Sequence, residues 1–411
     1  METKHISIGL VGFGCVGYGL YRVLQNTPSL QAEIRHICVK QRNKPRALPE
    51  SAFIFDPNTI LEDDEVNVVV ELIDDAAAAY QIVTRALKKG KAVVTANKKL
   101  IAEHMEELIA LQKQYNAPLL YEAACCASIP VIRNLEEYYD NDLLSGIEGI
   151  VNGSTNYILT AMNEGKPYGT ALREAQEKGY AESNPLLDVS GQDACNKLRI
   201  LLLHAFGWIC KEDIVFAGID RIEKSEQVYA REKGLTIKLL AQAFRDNEGR
   251  VTCWVLPTFL APDHPLSQVN SVYNGVVIHS GLSDRQTFIG KGAGDFPTAS
   301  AVLSDLSALR YNYKYAYRKS QEGLLSHYQN TATIKIYLRW KGEVPIAVTQ
   351  LFISIETHFR DAHVHCLTGW IPLHHLSLLL KRNPEAAAVV FHAGTQISAP
   401  VVFQEEVALQ E

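Results

Sequence analysis

An α/β fold opening on a parallel, doubly wound sheet is what this sequence predicts, and three observations carry it. An apolar run containing Ile6, Ile8, Leu10 and Val11 passes directly into glycines at 12, 14 and 17. Further apolar runs, ending near Val39, Ile73, Thr95 and Glu122, are separated by stretches of helical length, the alternation that builds a parallel sheet. The chain has 411 residues, which at roughly 150 per domain allows two or three domains.

His5 to Val11 reads as the first strand, and Leu20, Val23 and Leu24 follow at helical spacing. Between them stands Gly12-Phe13-Gly14-Cys15-Val16-Gly17. Gly12 permits a tight turn, Gly14 lets the backbone approach a pyrophosphate, and Gly17, after Val16, lets the helix pack on the strand; free N–H groups at the helix start then meet the phosphates. A Rossmann-type dinucleotide site is the functional reading, and a glycine turn that binds nothing is the bland one. The second strand, Ile34 to Val39, continues into Lys40-Gln41-Arg42-Asn43-Lys44-Pro45-Arg46. Cations where an NAD site usually places an acid suit a 2'-phosphate, so NADP(H) is expected over NAD(H); the alternative is a solvated basic loop.

Val66 to Ile73 is a buried strand and Tyr80 to Lys89 a helix. Ala92 to Thr95 is a strand closing on Asn97-Lys98-Lys99, and Leu119 to Glu122 is another. Ligands of such sheets sit beyond the carboxyl ends of the strands, so Asp74, Asp75, Thr95, Lys98 and Glu122 are expected to face one crevice.

Three later segments are dense in small polar residues: Gly149 to Leu159, Glu174 to Leu198, and Gly290 to Leu306. In the second, Glu182, Asp188 and Asp193 surround the start of a helix near Gly191, and Asp193 and Lys197 lie four apart on one helical face. One reading is a surface ion pair of about 0.3–0.5 kcal/mol. Another is a carboxylate cluster for a substrate ammonium beside a lysine that serves an oxygen. Spacing alone leaves both open.

Forty basic residues against 46 acidic ones give a net charge of -6, so nucleic acid is not an expected partner. No apolar stretch reaches the roughly 18 residues of a membrane span, and the first strand begins too early for a signal peptide; a cytoplasmic protein is expected. The eight cysteines lack Cys-x-x-Cys spacing and read as reduced thiols.

From residue 5 to about 320 the chain resembles homoserine dehydrogenase. The resemblance rests on Gly12 to Gly17, Thr95-Ala96-Asn97-Lys98, Asn152 to Leu159, Gly179 to Lys197 and Gly292 to Val302, in that order. It implies interconversion of aspartate 4-semialdehyde and homoserine, on the route to threonine and methionine, by a homodimer or homotetramer with a small-molecule substrate. The implied architecture is a Rossmann domain over 1–130 completed by about 296–320, an inserted α+β substrate and dimerisation domain over 131–295, and a C-terminal ACT-like α+β domain over 330–411. The implied roles are Lys98 and Lys197 at the reacting oxygen with Asp193 beside them, and Glu182 and Asp188 on the amino-acid part of the substrate. Gly12, Gly14, Val16, Gly17, Lys40, Thr95, Lys98, Gly292 and Gly294 would bind the cofactor. Glu122 with the carbonyls of Cys125, Ala127 and Ile129 would match a monovalent cation site, usually assigned to Na+.

The chain departs from the family pattern in three places. Asp74-Asp75 replaces Gly-Gly, Cys125-Cys126-Ala127-Ser128 replaces a Val-Gly-Gly-Gly or Val-Gly-Ala-Gly step, and Asn184 replaces an aspartate. A working NADP-dependent enzyme with a remodelled pocket is therefore set against a catalytically impaired relative that binds nucleotide or amino acid in a regulatory role. A redox switch at Cys125-Cys126 is disfavoured, because vicinal cysteines close a strained ring.

Beyond a polar passage near Arg318 to Gln329, strands are expected at Thr331–Trp340, Phe352–Phe359, Ala362–Thr368 and Ala386–Phe391, with a helix at His374–Leu380. Ile353-Ser354-Ile355-Glu356 fits the ACT resemblance, whereas the usual Pro-Gly-Val-Leu helix start is missing around Gly342 to Val348. His363, His365, His374 and His375 read as solvent-facing neighbours, not metal ligands.

Overall fold

A computed structural model describes residues 5–141, 143–320, 328–329, 332–360, 364–383 and 385–396. The chain divides into two compact units, Met1–Glu137 with Gly290–Tyr317, and Tyr138–Ile289 with Arg318–Glu411.

In the first unit β1 (Ile6–Val11) and α1 (Cys15–Gln25) are followed by β2 (Ala32–Cys38), α2 (Asn58–Glu62), β3 (Val68–Glu71) and α3 (Ala76–Lys88). Then come β4 (Ala92–Thr95), α4 (Lys98–Tyr115), β5 (Leu119–Leu120) and α5 (Val131–Glu136). The strands form one parallel sheet in the order β2-β1-β3-β4-β5. Its direction of winding reverses between β1 and β3, and a crevice opens at the carboxyl ends of strands at such a point. The loops leaving β1 and β3 therefore border the site. Helix α3 starts four residues earlier than apolar spacing suggests, because the Asp75 carboxylate accepts the Ala78 N–H and caps it. The helix Asp295–Leu309 returns to this unit and packs on α1 so closely that a Cβ on Gly19 would lie 3.0 Å from the Asp295 carbonyl.

In the second unit β6 (Leu144–Ile150) leads into α6 (Gly153–Asn163), α7 (Tyr168–Glu177), α8 (Leu186–Val189) and α9 (Gln192–Ala205). Next are β7 (Val215–Phe216), α10 (Lys224–Glu232), β8 (Thr236–Arg245), β9 (Val251–Leu260), β10 (Tyr273–Ser280) and β11 (Asp284–Lys291). The helix Asp295–Leu309 is α11, and the chain continues through β12 (Thr333–Lys341), α12 (Ile346–Thr349), β13 (Ser354–Arg360), β14 (Val364–Pro372), α13 (Leu373–Arg382) and β15 (Ala387–Gln396). Most of these strands follow the sheet order β11-β10-β6-β8-β9-β15-β12-β14-β13, with β7 beside β9. β6 pairs antiparallel with β8 and β10, while β7 and β15 join β9 in parallel.

The C-terminal elements run β-α-β-β-α-β, with neighbouring strands antiparallel. They do not form a sheet of their own. β15 docks on β9 at Val390 and Phe391, and Trp254 and Leu256 of β9 share one buried core with Ile334, Ile336, Leu338, Leu367 and Leu376. Sequence patterning identified these strands but could not reveal the docking, since period-2 alternation says which face is buried and not against what. Thr331, Ala362 and His363 lie outside the described residues.

Candidate active site

The three fingerprint glycines of the first unit have separate structural reasons. Gly12 has φ +101°, and a Cβ there would lie 2.5 Å from the Leu72 carbonyl. A Cβ on Gly17 would lie 2.3 Å from the Gly12 carbonyl, so only hydrogen lets α1 approach the turn. At Gly14 a Cβ would meet nothing within 4 Å. Neither of the usual packing demands explains Gly14, and open space beside the start of α1 fits the approach of a phosphate group.

A groove of about 460 Å³ extends from this turn, bordered by Gly12, Gly14, Lys40, Lys44, Arg46 and Asp75. The Arg42 guanidinium, itself exposed, lies 4.3 Å from the centre of the Phe55 ring, a cation–π contact. Asp75 caps α3 and its other carboxylate oxygen lies 3.9 Å from Lys40 Nζ. The two acids after β3 are thus partly accounted for within the fold: one has a helix to cap and a cation to face. Lys44 and Arg46 add positive charge that fits a phosphorylated dinucleotide.

The expectation of one crevice for five residues needs correction. Thr95 is fully buried and its hydroxyl donates to Glu71 Oε2 at 2.6 Å. Glu71, pushed up to about 7 by burial, also accepts the Ile73 N–H. Lys98 is half-buried at the start of α4, where Asn97 caps the helix and donates its side-chain N–H to the Ile73 carbonyl. Asn97 and Glu71 therefore tie the ends of β3 and β4 together, a role the Thr-Ala-Asn-Lys run signals through its capping asparagine. Gly294, with φ +120°, precedes α11, and Gly292 lies two residues before it.

Glu122 also turns inward, at 2% exposure. Its two oxygens accept the Ile132 and Arg133 N–H groups, and its own N–H donates to Asp305, which also binds the Arg133 guanidinium at 3.0 Å. Burial pushes Glu122 up to about 7 and Asp305 up to about 8. Only Asp305 binds the Arg133 guanidinium, while Glu122 is held by backbone N–H groups, so burial favours the neutral form of both carboxyls. The Ile129 carbonyl is the weakest member of the expected ligand set, because it accepts the Val131 N–H at 2.8 Å.

Cys126 and Ala127 adopt left-handed φ values of +57° and +45°, where L side chains cost about 1–2 kcal/mol. The resemblance places glycine at position 126 and glycine or alanine at position 127. Ala127→Gly is expected to stabilise the protein by about 0.5–1 kcal/mol, the relief of Cβ strain exceeding the entropy that glycine adds to the unfolded chain. Urea midpoints would check it, and a lower midpoint in the variant would contradict the strain argument.

In the second unit the turn from β6 to α6 holds the other cluster. Asn152 caps α6 by accepting the Thr155 N–H, and its Nδ2 donates to Asp188 Oδ1 at 2.7 Å and to Asp193 Oδ2 at 2.8 Å. Lys197 Nζ lies 2.8 Å from the same Asp193 oxygen and donates to the Val151 carbonyl at 2.7 Å. Asp193 is 4% and Lys197 8% exposed. The pair is therefore not the surface ion pair of the bland reading: a buried pair broken by removal of one partner costs about 3–5 kcal/mol, far above an exposed one. Gly191, with φ +82°, starts α9 against the Ala217 carbonyl, 3.1 Å from where a Cβ would stand. Glu182 is exposed and stands apart from this network, while Asp188 is half-buried within it. Asn184 accepts the Leu186 N–H across a local turn. Asn152 is the joining residue that spacing missed; its position before Gly-Ser-Thr was a visible cap signal.

Two family models match the chain: the homoserine dehydrogenase NAD-binding domain over residues 12–122 and homoserine dehydrogenase over 130–307. The chain is 36% identical over 322 residues to the homoserine dehydrogenase of Bacillus subtilis (strain 168), covering 76% of this chain and 74% of that protein. It is 38% identical over 314 residues to that of Synechocystis, covering 73% and 72%. A crystal structure of a homoserine dehydrogenase from Thiobacillus denitrificans superposes with a TM-score of 0.83 at 28% identity, over 95% of this chain and 98% of that one. A hyperthermophilic archaeal homoserine dehydrogenase in complex with NADPH matches with a TM-score of 0.65 at 26% identity, over 76% and 99%.

Proposed function

The chain belongs to the homoserine dehydrogenase family, and we propose that it interconverts aspartate 4-semialdehyde and homoserine with NADP(H) preferred over NAD(H). It is an NAD(P)-dependent oxidoreductase of that family. The observation that carries the reaction is the buried network of Asn152, Asp188, Asp193 and Lys197. An ammonium buried between a carboxylate and a carbonyl is a costly arrangement to build for packing alone, and it suits a proton donor to an oxygen.

A nicotinamide cofactor, when bound, would supply hydride-transfer chemistry. Lys197 gives a proton to the alkoxide that develops at the former aldehyde, and takes it back in the reverse direction. Asp193 and the Val151 carbonyl hold Nζ in place, and Asn152 keeps the Asp193 and Asp188 carboxylates from separating. Asp188 and Glu182 present negative charge to the α-ammonium of the amino acid. Lys98 is a second cation for the developing oxyanion. Gly12, Gly14, Val16, Gly17, Gly292 and Gly294 shape the backbone around the dinucleotide, and Lys44 and Arg46 hold its 2'-phosphate. Glu122 and the carbonyls at Cys125, Ala127 and Ile129 would hold a monovalent cation.

The C-terminal β-α-β-β-α-β run supports an ACT-like origin. Its first helix is reduced to the single turn Ile346–Thr349, which favours a structural role over threonine sensing.

The left-handed Cys126 and Ala127, and the acids at 74 and 75, favour a second reading in which nucleotide binds without turnover. Purified protein given homoserine and NADP+ is expected to show the absorbance of reduced nicotinamide. Absence of that change in a sample that still binds NADPH would leave the second reading standing.

A further inference from the structure

A second cluster of chemistry-bearing side chains lies in the second unit, outside the substrate network. Glu148 of β6 is fully buried. Its Oε1 receives His264 Nε2 at 3.3 Å and His279 Nε2 at 2.8 Å, and its Oε2 receives His392 Nε2 at 2.8 Å and Gln242 Nε2 at 3.2 Å. The four nitrogens come from the segment after β9, from β10, from β15 and from β8. No sequence spacing joins positions 148, 264, 279 and 392, so the cluster is a product of folding alone.

Ligand atoms of Glu148, His264 and His392 all lie within 4.8 Å of one another. Two imidazoles and a carboxylate are the donor set of a zinc-class dication, which binds neutral histidine nitrogen at roughly 2.0–2.1 Å and takes about four ligands. The surroundings match what such a site needs. Gln242 holds the carboxylate with Nε2 while its own Oε1 accepts the Trp254 indole N–H at 3.0 Å, an outer support anchored in the core. His279 steadies the other carboxylate oxygen. A cavity of about 250 Å³ bordered by Asp263, His264, Arg285, Phe391 and His392 supplies an approach from outside.

We propose that Glu148, His264 and His392 form a site for a zinc-class divalent transition metal that fastens β15 of the C-terminal module to β6 of the substrate sheet. One local contact must yield. The Leu266 N–H meets His264 Nδ1 at 3.2 Å, which places the ring proton on Nε2 without metal. Coordination through Nε2 moves that proton to Nδ1 and opens this single neutral contact, while the ion replaces two hydrogen bonds at the carboxylate, those of His264 and His392, by direct ligation. Binding also requires neutral imidazoles.

The test is a Co2+ titration of the full-length protein after chelator treatment, followed in the visible spectrum. One equivalent is expected to produce the intense bands of a four-coordinate Co2+ site, to be displaced by Zn2+, and to raise the melting temperature. His392→Ala, at a partly exposed position, is expected to weaken binding by at least about tenfold and to remove the metal-dependent melting shift. Glu148→Gln checks the carboxylate, with circular dichroism reporting whether it folds. A wild-type protein with no such bands and no Zn2+-dependent melting shift overturns the site. So does a folded His392→Ala protein that binds as the wild type does.

Discussion

Lys197→Ala is expected to abolish measurable turnover while NADPH binding stays near that of the wild type. A positioned general acid contributes about 10²–10⁴ in rate, and the same ammonium stabilises the oxyanion, so the combined loss falls at or beyond the upper end of that range. The substitution also leaves Asp193, 4% exposed, without its cation, which costs about 3–5 kcal/mol for a buried pair. Activity alone would therefore confuse chemistry with folding. Lys197→Arg separates them, since a guanidinium keeps the charge beside Asp193 but, with a pKa above about 12, is a poor proton donor. Lys197→Arg is expected to melt closer to the wild type yet remain nearly inactive. Turnover, NADPH titration and melting temperature, measured on all three proteins, check the prediction; wild-type turnover in Lys197→Ala would remove this residue from the reaction.

The second large effect concerns cofactor choice. Lys44 and Arg46 border the groove beside Gly12 and Gly14, and a charged hydrogen bond is worth about 1.5–3 kcal/mol. Removing both as Lys44→Ala/Arg46→Ala is expected to raise the KM for NADPH by about 100-fold or more, each 1.4 kcal/mol being a factor of ten, and to leave the KM for NADH nearly unchanged. Lys40 is the poorer choice for this experiment because Asp75 lies 3.9 Å from it and already offsets its charge. Equal losses with both cofactors would show that these cations bind the shared pyrophosphate or merely hold the loop. Arg46 also lies 5.2 Å from the Phe53 ring centre, so an unfolding curve belongs with the kinetics.

Local spacing carried much of the first unit. Glycines at 12, 14 and 17 announced a turn whose three demands are each visible in the fold: positive φ, open space, and close helix packing. The approximate positions of β1 to β4 followed from apolar runs because parallel strands buried on both faces need continuous apolar sequence. The same reasoning misplaced Thr95 and Glu122. A residue at a strand's carboxyl end can face the crevice or the interior, and what decided was a partner far along the chain: Glu71 for Thr95, and Asp305 with the Ile132 and Arg133 amides for Glu122.

Asp75 shows the opposite error. Read as added charge in a pocket, it is also the cap of α3 and a partner for Lys40, and the capping offset of three residues was available in the sequence. Among the described residues no helix is long and apolar enough to cross a membrane.

Residue order alone determined the nucleotide turn, the strand and helix alternation, the ordered motifs that mark the family, and the four-residue offset of Asp193 and Lys197. These are short-range properties, set by backbone sterics and side-chain periodicity within a few residues. Burial of that pair, the bridge that Asn152 makes between Asp188 and Asp193, the docking of β15 on β9, and the meeting of three histidines at Glu148 came from the tertiary fold. Each joins residues tens or hundreds of positions apart, and the dielectric environment that turns a helical i,i+4 pair into a buried one exists only once those distant segments have excluded water.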